Sequence, residues 1–317
     1  TAHLVRKRYD YLNAGFIEVG RSMMFKKIIS NLILIKGCWL SAENRFESSG
    51  NSGSAFDSRT AFNKWRNLEM TTNYMSNYTY GTDAYDEIPE VAKPYGIKKV
   101  VFIGGRRALA AAEPKARKAL EGSGIEVTGS FVYGVDSTQT NIDRLVATPE
   151  VRGADAVFGF GGGTAKMVAD ELDKVIFSFP TICSNCAAGT AIAVIYHDDG
   201  SFDRYGFPKA AKHLFIDTDV IAKAPVEYFW AGIGDALSKQ PEVTHVSEGE
   251  DLTNTGALGV AIAKTVSEPL FKYGEQGMDD VRNDTPSKAV EEIALDILVS
   301  TGYASNLTNQ KDFYYNS

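Results

Sequence analysis

The chain has 317 residues, 44% hydrophobic and 23% charged, the balance of an ordinary soluble globular protein with room for about two domains. With 33 Lys and Arg against 40 Asp and Glu, its net charge of −7 argues against a nucleic-acid partner, which needs a basic surface. No stretch reaches the ~20 apolar residues of a membrane helix, so a membrane partner is not expected either. Three cysteines, Cys38, Cys183 and Cys186, give no disulfide framework and point to a reduced, cytoplasmic compartment.

Residues 1–68 differ in pattern from the rest of the chain and read as an N-terminal extension. Within it, Met24–Leu40 places two lysines before a short apolar run, as a signal peptide does. Asn31 and Lys36 interrupt that run, so it reads as a partly buried helix or strand. Ser41–Thr60 is rich in serine, glycine and asparagine, the composition of a flexible linker. From about Tyr78 the pattern becomes regular. Ala84–Ala92 reads as a short helix, Lys98–Ile103 as a buried strand ending at Gly104-Gly105, and Leu109–Leu120 as a helix stopped by Ser123-Gly124. Ile125–Tyr133 is a second strand, and Asn141–Val146 starts another helix.

The apolar run Ala156–Phe160 is a third strand, cut off by Gly161, Gly162 and Gly163. Thr164, Ala165, Met167 and Val168 then begin a helical pattern. Lys174–Phe179 is a fourth strand, while Ser201–Tyr205 and Leu214–Ile216 are expected to pair as a hairpin at the sheet edge. After Ile221 the character changes. Pro225–Leu237, Ala257–Tyr273 and Ser287–Thr301 carry apolar residues at helical spacing, with Ser287 as an N-cap. Strands alternating with helices give βαβ units, so the expected class is α/β: a parallel-sheet domain over 69–225, then an all-helical domain over 226–317.

Three glycines between a strand and a helix remove every Cβ where a phosphate could approach, and the helix start offers unpaired N–H donors. The same triplet also serves as a tight turn. Cys183-Ser-Asn-Cys186 has CxxC spacing, but a zinc site needs a second pair or matched histidines, which leaves a redox pair as the remaining special use.

Five segments in order give a more specific signal: Gly161-Gly-Gly163, Pro180-Thr-Ile-Cys-Ser184, Ala191-Ile-Ala-Val-Ile-Tyr196, Asp217-Thr-Asp-Val-Ile-Ala-Lys-Ala-Pro225 and Ala231-Gly-Ile-Gly-Asp-Ala-Leu237. With them the chain from about Tyr78 resembles the glycerol dehydrogenase branch of the metal-dependent, iron-type alcohol dehydrogenase superfamily. The resemblance implies a dinucleotide-binding function for 69–225, a metal-binding helical domain, incomplete here, over 226–317, NAD as cofactor, and Zn2+ as a Lewis acid acting on a small polyol or alcohol. It also implies a homo-oligomer. By position it assigns Gly161, Gly162 and Gly163 to the pyrophosphate loop, and Thr181, Ile182, Cys183, Ser184, Thr190, Ile192 and Tyr196 to the cofactor lining. Asp235 takes a metal-ligand position.

The departures from the pattern generate expectations of their own. Relative to the family's G-G-G-K-x-x-D-T-A-K, four residues are absent behind Gly163, which shortens this region by about 6 Å at helical rise. Cys186 stands where the branch has a substrate-contacting aspartate. The first strand ends in Gly104-Gly105-Arg106-Arg107 rather than in a ribose-binding acid, which points to NADP tolerance. The chain ends at Ser317, short of where the first of two histidine ligands is expected, and His197, His213 and His245 do not match those positions. Incomplete helices are expected to expose apolar faces on Ala257–Tyr273 and Ile293–Val299. A polyol dehydrogenase, a nucleotide-binding relative without turnover, and a same-fold enzyme such as glycerol-1-phosphate dehydrogenase all remain open.

Overall fold

Phenylalanine at alternate positions builds the centre of the molecule. In a computed structural model, the structure describes residues 72–134 and 136–308. The expectations for residues 1–68, including Cys38, Met24–Leu40 and Ser41–Thr60, and for the chain end at Ser317 lie outside the described residues. Six strands, β1 (Asn77–Gly81), β2 (Lys99–Gly104), β3 (Glu126–Val132), β4 (Ala156–Phe160), β5 (Val175–Phe179) and β8 (His213–Asp217), form one parallel sheet in the order β1-β8-β5-β4-β2-β3. Phe102 pairs in register with Phe158, Phe158 with Phe177, and Phe160 with Phe179. Their rings, with Phe215 of β8, therefore share one face. Neighbouring centroids lie 4.8 Å apart for Phe160–Phe179 and 5.0 Å for Phe179–Phe215, within the range of favourable aromatic pairs.

Helices cover that face. α1 (Ile88–Ala92) contributes Ile88 and Ala92, and α2 (Arg106–Leu120) contributes Leu109, Ala112, Ala116 and Leu120 to the same buried cluster. α3 (Gln139–Ala147) and α4 (Pro149–Gly153) lead from β3 to β4, and α5 (Gly163–Glu171) crosses from β4 to β5. A Cβ at Gly159 would lie 2.8 Å from Ala165 Cβ, so α5 sits directly on the strand that feeds it.

The expected parallel α/β sheet with flanking helices is present, but three local expectations are corrected. Ser201–Tyr205 does not pair with Leu214–Ile216. β7 (Phe202–Gly206) instead runs antiparallel to β6 (Ala193–Tyr196), and β8 lies between β1 and β5, because its five residues are all buried and suit a central strand. The Ala257–Tyr273 helix is two helices, α8 (Asn254–Ala263) and α9 (Ser267–Arg282), parted at Lys264–Val266. Ile293–Val299 does not present an exposed apolar face: Ile293, Ile297 and Leu298 are buried. Only Leu258 and Phe271 of the other stretch are large and exposed.

After α6 (Thr218–Ala222) the helical part comprises α7 (Val226–Val246), α8, α9, α10 (Lys288–Leu295), a π-turn over Asp296–Ser300 and α11 (Thr301–Thr308). Ser287 caps α10, its hydroxyl accepting from Val290 N at 3.2 Å. α7 meets the segment after β5 through Gly232, where a Cβ would stand 1.9 Å from the Cys183 carbonyl oxygen. In the π-turn Asp296 is buried, and its Oδ2 has no hydrogen-bond partner among the described residues. Burial pushes its carboxyl up to about 7, against a weaker opposing pull from Ser300.

These contacts predict two outcomes. Gly232→Ala forces backbone apart and should cost about 3 kcal/mol. That lowers Tm by roughly 6–12 °C in a thermal melt. For Asp296, the folded state keeps a proton that the unfolded chain loses above its ordinary value of 3.8. Stability therefore falls as pH rises toward 7, and the cost is complete above it. Melts of Asp296→Asn and wild type should differ little near pH 4, separate progressively as pH rises, and differ most by pH 8, with the variant the more stable.

Candidate dinucleotide site

From β2 the chain steps outward to β3, returns past β2 to β4, and then continues to β5 and β8. The direction of winding therefore reverses between β2 and β4, and such switch points open a crevice at the carboxyl ends of parallel strands. Gly104 is the register partner of Phe160, so Gly105 and Gly161 leave the sheet side by side. Both following helices begin there. α2 has Gly105 as N-cap and α5 has Gly162, and neither start is capped by a side chain. Their first N–H groups and the positive ends of their dipoles are left for another acceptor.

The glycine loop is shaped by close approach. Gly161 has φ of 92°, a conformation that L side chains rarely adopt. A Cβ at Gly163 would lie 2.8 Å from Ala193 Cβ of β6, whereas one at Gly162 would meet nothing closer than the Tyr133 hydroxyl at 3.9 Å. The same hydroxyl stands 3.1 Å from the Cβ position of Gly105 and 3.8 Å from that of Gly161. Tyr133 thus overhangs both glycine turns, and burial, then Asp136, push its phenol up. Ser137 Oγ is buried without a hydrogen-bond partner among the described residues and lies 3.9 Å from the Gly163 Cβ position. Arg106 and Arg107, both exposed, open α2 at the same edge.

The remaining sequence-predicted positions form the path from β5 to β6. Thr181 and Cys183 are buried, while Ile182 and Ser184 are half-buried. Burial and Asp296 push the Cys183 thiol up, and burial and Asp235 do the same to Cys186. That is the opposite of the thiolate a redox CxxC needs, so the redox-pair option loses its support. Thr190 is buried, its hydroxyl donating to the carbonyls of Ala187 at 3.3 Å and Ile192 at 3.4 Å. Tyr196 ends β6, and its N–H donates to Ser137 O at 2.9 Å, tying β6 to the segment that follows Tyr133. Behind this path Lys166 of α5 is buried, its ammonium donating to the carbonyls of Ala187, Thr190 and Ile192 at 2.6–2.7 Å. Sequence reasoning missed Tyr133 and Lys166. The available signal for Lys166 was a lysine among Ala165, Val168 and Ala169 on an apolar helix.

Asp235 lies on α7 with Oδ1 3.6 Å from Lys239 Nζ, which stands equally far from Glu242 Oε2. Asp235 Oδ2 and Glu242 Oε2 are buried without hydrogen-bond partners among the described residues. Burial pushes both carboxyls up and Lys239 opposes it. An orphaned carboxylate oxygen suits a metal ligand, but no group of three His, Cys, Asp or Glu side chains among the described residues could hold an ion. The donors present therefore do not fit a metal site, which takes three protein ligands. His213 is no substitute: it starts β8, its Nε2 lies 2.9 Å from Thr79 Oγ1, and burial lowers its pKa to about 4.

A doubly wound parallel sheet with a glycine loop at its switch point defines a dinucleotide-fold α/β protein. Residues 76–217 match the iron-containing alcohol dehydrogenase family. The chain is 31% identical to a glycerol dehydrogenase of Escherichia coli O6:H1 over 225 residues, which is 68% of this chain and 61% of that enzyme. It is 35% identical to a glycerol dehydrogenase of Thermotoga maritima over 185 residues, 55% of this chain and 50% of the relative. The crystal structure of glycerol dehydrogenase from Schizosaccharomyces pombe superposes with a TM-score of 0.67 at 27% identity, covering 74% of this chain and 62% of that one. The chain belongs to the iron-containing alcohol dehydrogenase family, within its glycerol dehydrogenase branch. It spans 50–61% of the length of these two curated relatives.

Proposed function

We propose that the chain binds a nicotinamide dinucleotide across the β2/β4 crevice and is the cofactor-binding part of a polyol or alcohol dehydrogenase. The observation that carries this is the convergence of two uncapped helix starts and two glycine turns on one switch point. The pyrophosphate would lie over Gly161, Gly162 and Gly163, held by N–H groups of α5, with the Tyr133 hydroxyl within reach. Thr181, Ile182, Cys183, Ser184, Thr190, Ile192 and Tyr196 would line the nicotinamide side, with the buried Thr181, Cys183 and Thr190 contributing chiefly backbone. The nicotinamide supplies the hydride acceptor; the protein's part is to hold the ring and exclude water. Cys186 would meet the substrate as a neutral thiol, a weaker partner for polyol hydroxyls than a carboxylate. No step is assigned to a metal, because the described residues offer Asp235 without companions.

One observation favours a second reading, nucleotide binding without turnover: Asp235 is matched by Lys239 instead of by further metal ligands. NAD-linked oxidation of glycerol by the chain separates the two readings, and turnover would remove the second.

Gly162→Asp isolates the loop. The new side chain enters open space and can cap α5, worth only about 0.3 kcal/mol relative to glycine, so Tm should hold. Its charge occupies the phosphate position, so NADH affinity measured by fluorescence titration should fall at least about tenfold. Normal affinity in this variant would overturn the assignment of the loop. Arg106 and Arg107 in place of an acid should let NADPH bind at least as well as NADH, and replacing both with alanine should weaken NADPH selectively. A clear NADH preference in the unmodified chain would remove the 2′-phosphate part of the reading.

A further inference from the structure

We infer that Lys166 and Asn306 grip residues 187–192 from two sides and hold that segment in the shape in which it lines the crevice. Both are positioning residues, and their role in binding rests on the dinucleotide reading above. From the sheet side, Lys166 directs its three N–H donors to three carbonyls of one short loop: Ala187 at 2.6 Å, Thr190 at 2.7 Å and Ile192 at 2.7 Å. From the helical side, Asn306 of α11 is buried and clamps the loop between those carbonyls. Its Nδ2 donates to Gly189 O at 2.9 Å, and its Oδ1 accepts from Ala191 N at 2.8 Å. The two grips alternate along the segment, so five backbone groups between Ala187 and Ile192 are engaged by two side chains 140 positions apart in sequence (306 minus 166).

The clamp is mechanically continuous with the glycine loop. Lys166 lies three residues after Gly163 on α5, and Gly163 is in close contact with Ala193, the residue after the clamped segment. On the other side, a Cβ at Gly189 would lie 2.9 Å from Leu298 O of the π-turn, so the loop is seated directly against the helical part. No carboxylate pairs with Lys166 within salt-bridge distance among the described residues. The thiol of Cys186 is the titratable group that acts on it, with Asp235 and Lys239 of α7 acting in turn on that thiol. Burial lowers the lysine's pKa to about 7, while three carbonyl dipoles favour the proton. A neutral amine has two N–H donors for three acceptors, so deprotonation leaves one carbonyl unserved.

The test is hydrogen exchange by mass spectrometry on the cofactor-free whole chain, paired with NADH titration, for wild type, Lys166→Met, Asn306→Leu and Asn306→Asp. The last keeps the acceptor for Ala191 and loses the donor for Gly189, so it covers the case in which Lys166→Met fails to fold. Protection of the amides across 187–196 is expected to fall at least tenfold in the Met and Leu variants and less in Asn306→Asp, with β2, β4 and β5 unchanged. After correction for intrinsic rates, wild-type protection of this segment should also decline as pH rises from 7 to 9, and Lys166→Met should lack that decline. Unchanged protection in all three variants overturns the clamp. Lost protection with unaltered NADH affinity upholds the clamp but overturns its link to binding. A wild type that binds neither NADH nor NADPH refutes the functional reading, and exchange alone then decides the clamp.

Discussion

The ladder of phenylalanines across β2, β4, β5 and β8 is the constraint from which the site's geometry follows. Because side chains alternate across a strand, a one-residue slip of β4 against β2 would carry Phe158 and Phe160 to the opposite face, where α5 sits on Gly159. Moving one such ring out of a packed core costs about 3–5 kcal/mol, judged by truncation, so the two rings of β4 make its native register decisive. That register ends β2 at Gly104 beside Phe160, and so sets Gly105 next to Gly161. The crevice is thus a consequence of aromatic packing that ends at its rim, since Phe160 directly precedes Gly161.

Electrostatics divide the molecule in a way that composition conceals. A chain of net charge −7 nonetheless gathers, at one sheet edge, two uncapped helix N-termini and the exposed cations Arg106 and Arg107. Of its acids pushed up by burial, Asp217 ends β8 of the same sheet, and three others lie elsewhere. Asp235, Glu242 and Asp296 are all in the helical part, each pushed up by burial. The net charge that argues against nucleic acid says little about a single phosphate site, which needs only aligned dipoles within one helical turn.

Much of this was legible in the sequence, and the failures have physical causes. Runs such as Ala156–Phe160 and Val175–Phe179 are buried on both faces, so continuous apolar composition marked them. β1 was invisible because Asn77–Gly81 is a half-exposed edge strand whose partner, β8, lies 136 positions away at the paired ends (213 minus 77). The mistaken hairpin arose because two short strands separated by a loop look alike whether they pair with each other or not. The partner of β7 was the equally short Ala193–Tyr196. The glycine triplet was read from its strand–helix setting, and Cys186 and Asp235 only from the family resemblance, but Tyr133, Lys166 and Asn306 are placed by tertiary burial. Only Lys166 left a trace, as a charge on an otherwise apolar face.

Packing accounts unequally for the residues of α7. Gly232 is explained completely by contact, since nothing larger fits against the Cys183 carbonyl. Three residues on, Asp235 keeps a buried oxygen with no donor, and Glu242 does the same one turn beyond Lys239. Leaving such an oxygen unserved costs about 1–3 kcal/mol. Lys239, 3.6 Å from Asp235 Oδ1 and from Glu242 Oε2, returns only part of it, because that distance is longer than a hydrogen bond. Buried ionic groups are poor stabilisers compared with apolar residues of the same volume. Pairing at i,i+4 and i,i+3 along α7 therefore gives this Asp-Lys-Glu row only a small folding advantage. The neighbour on which Asp235 and Lys239 both act is Cys186, beside the segment that Lys166 and Asn306 hold.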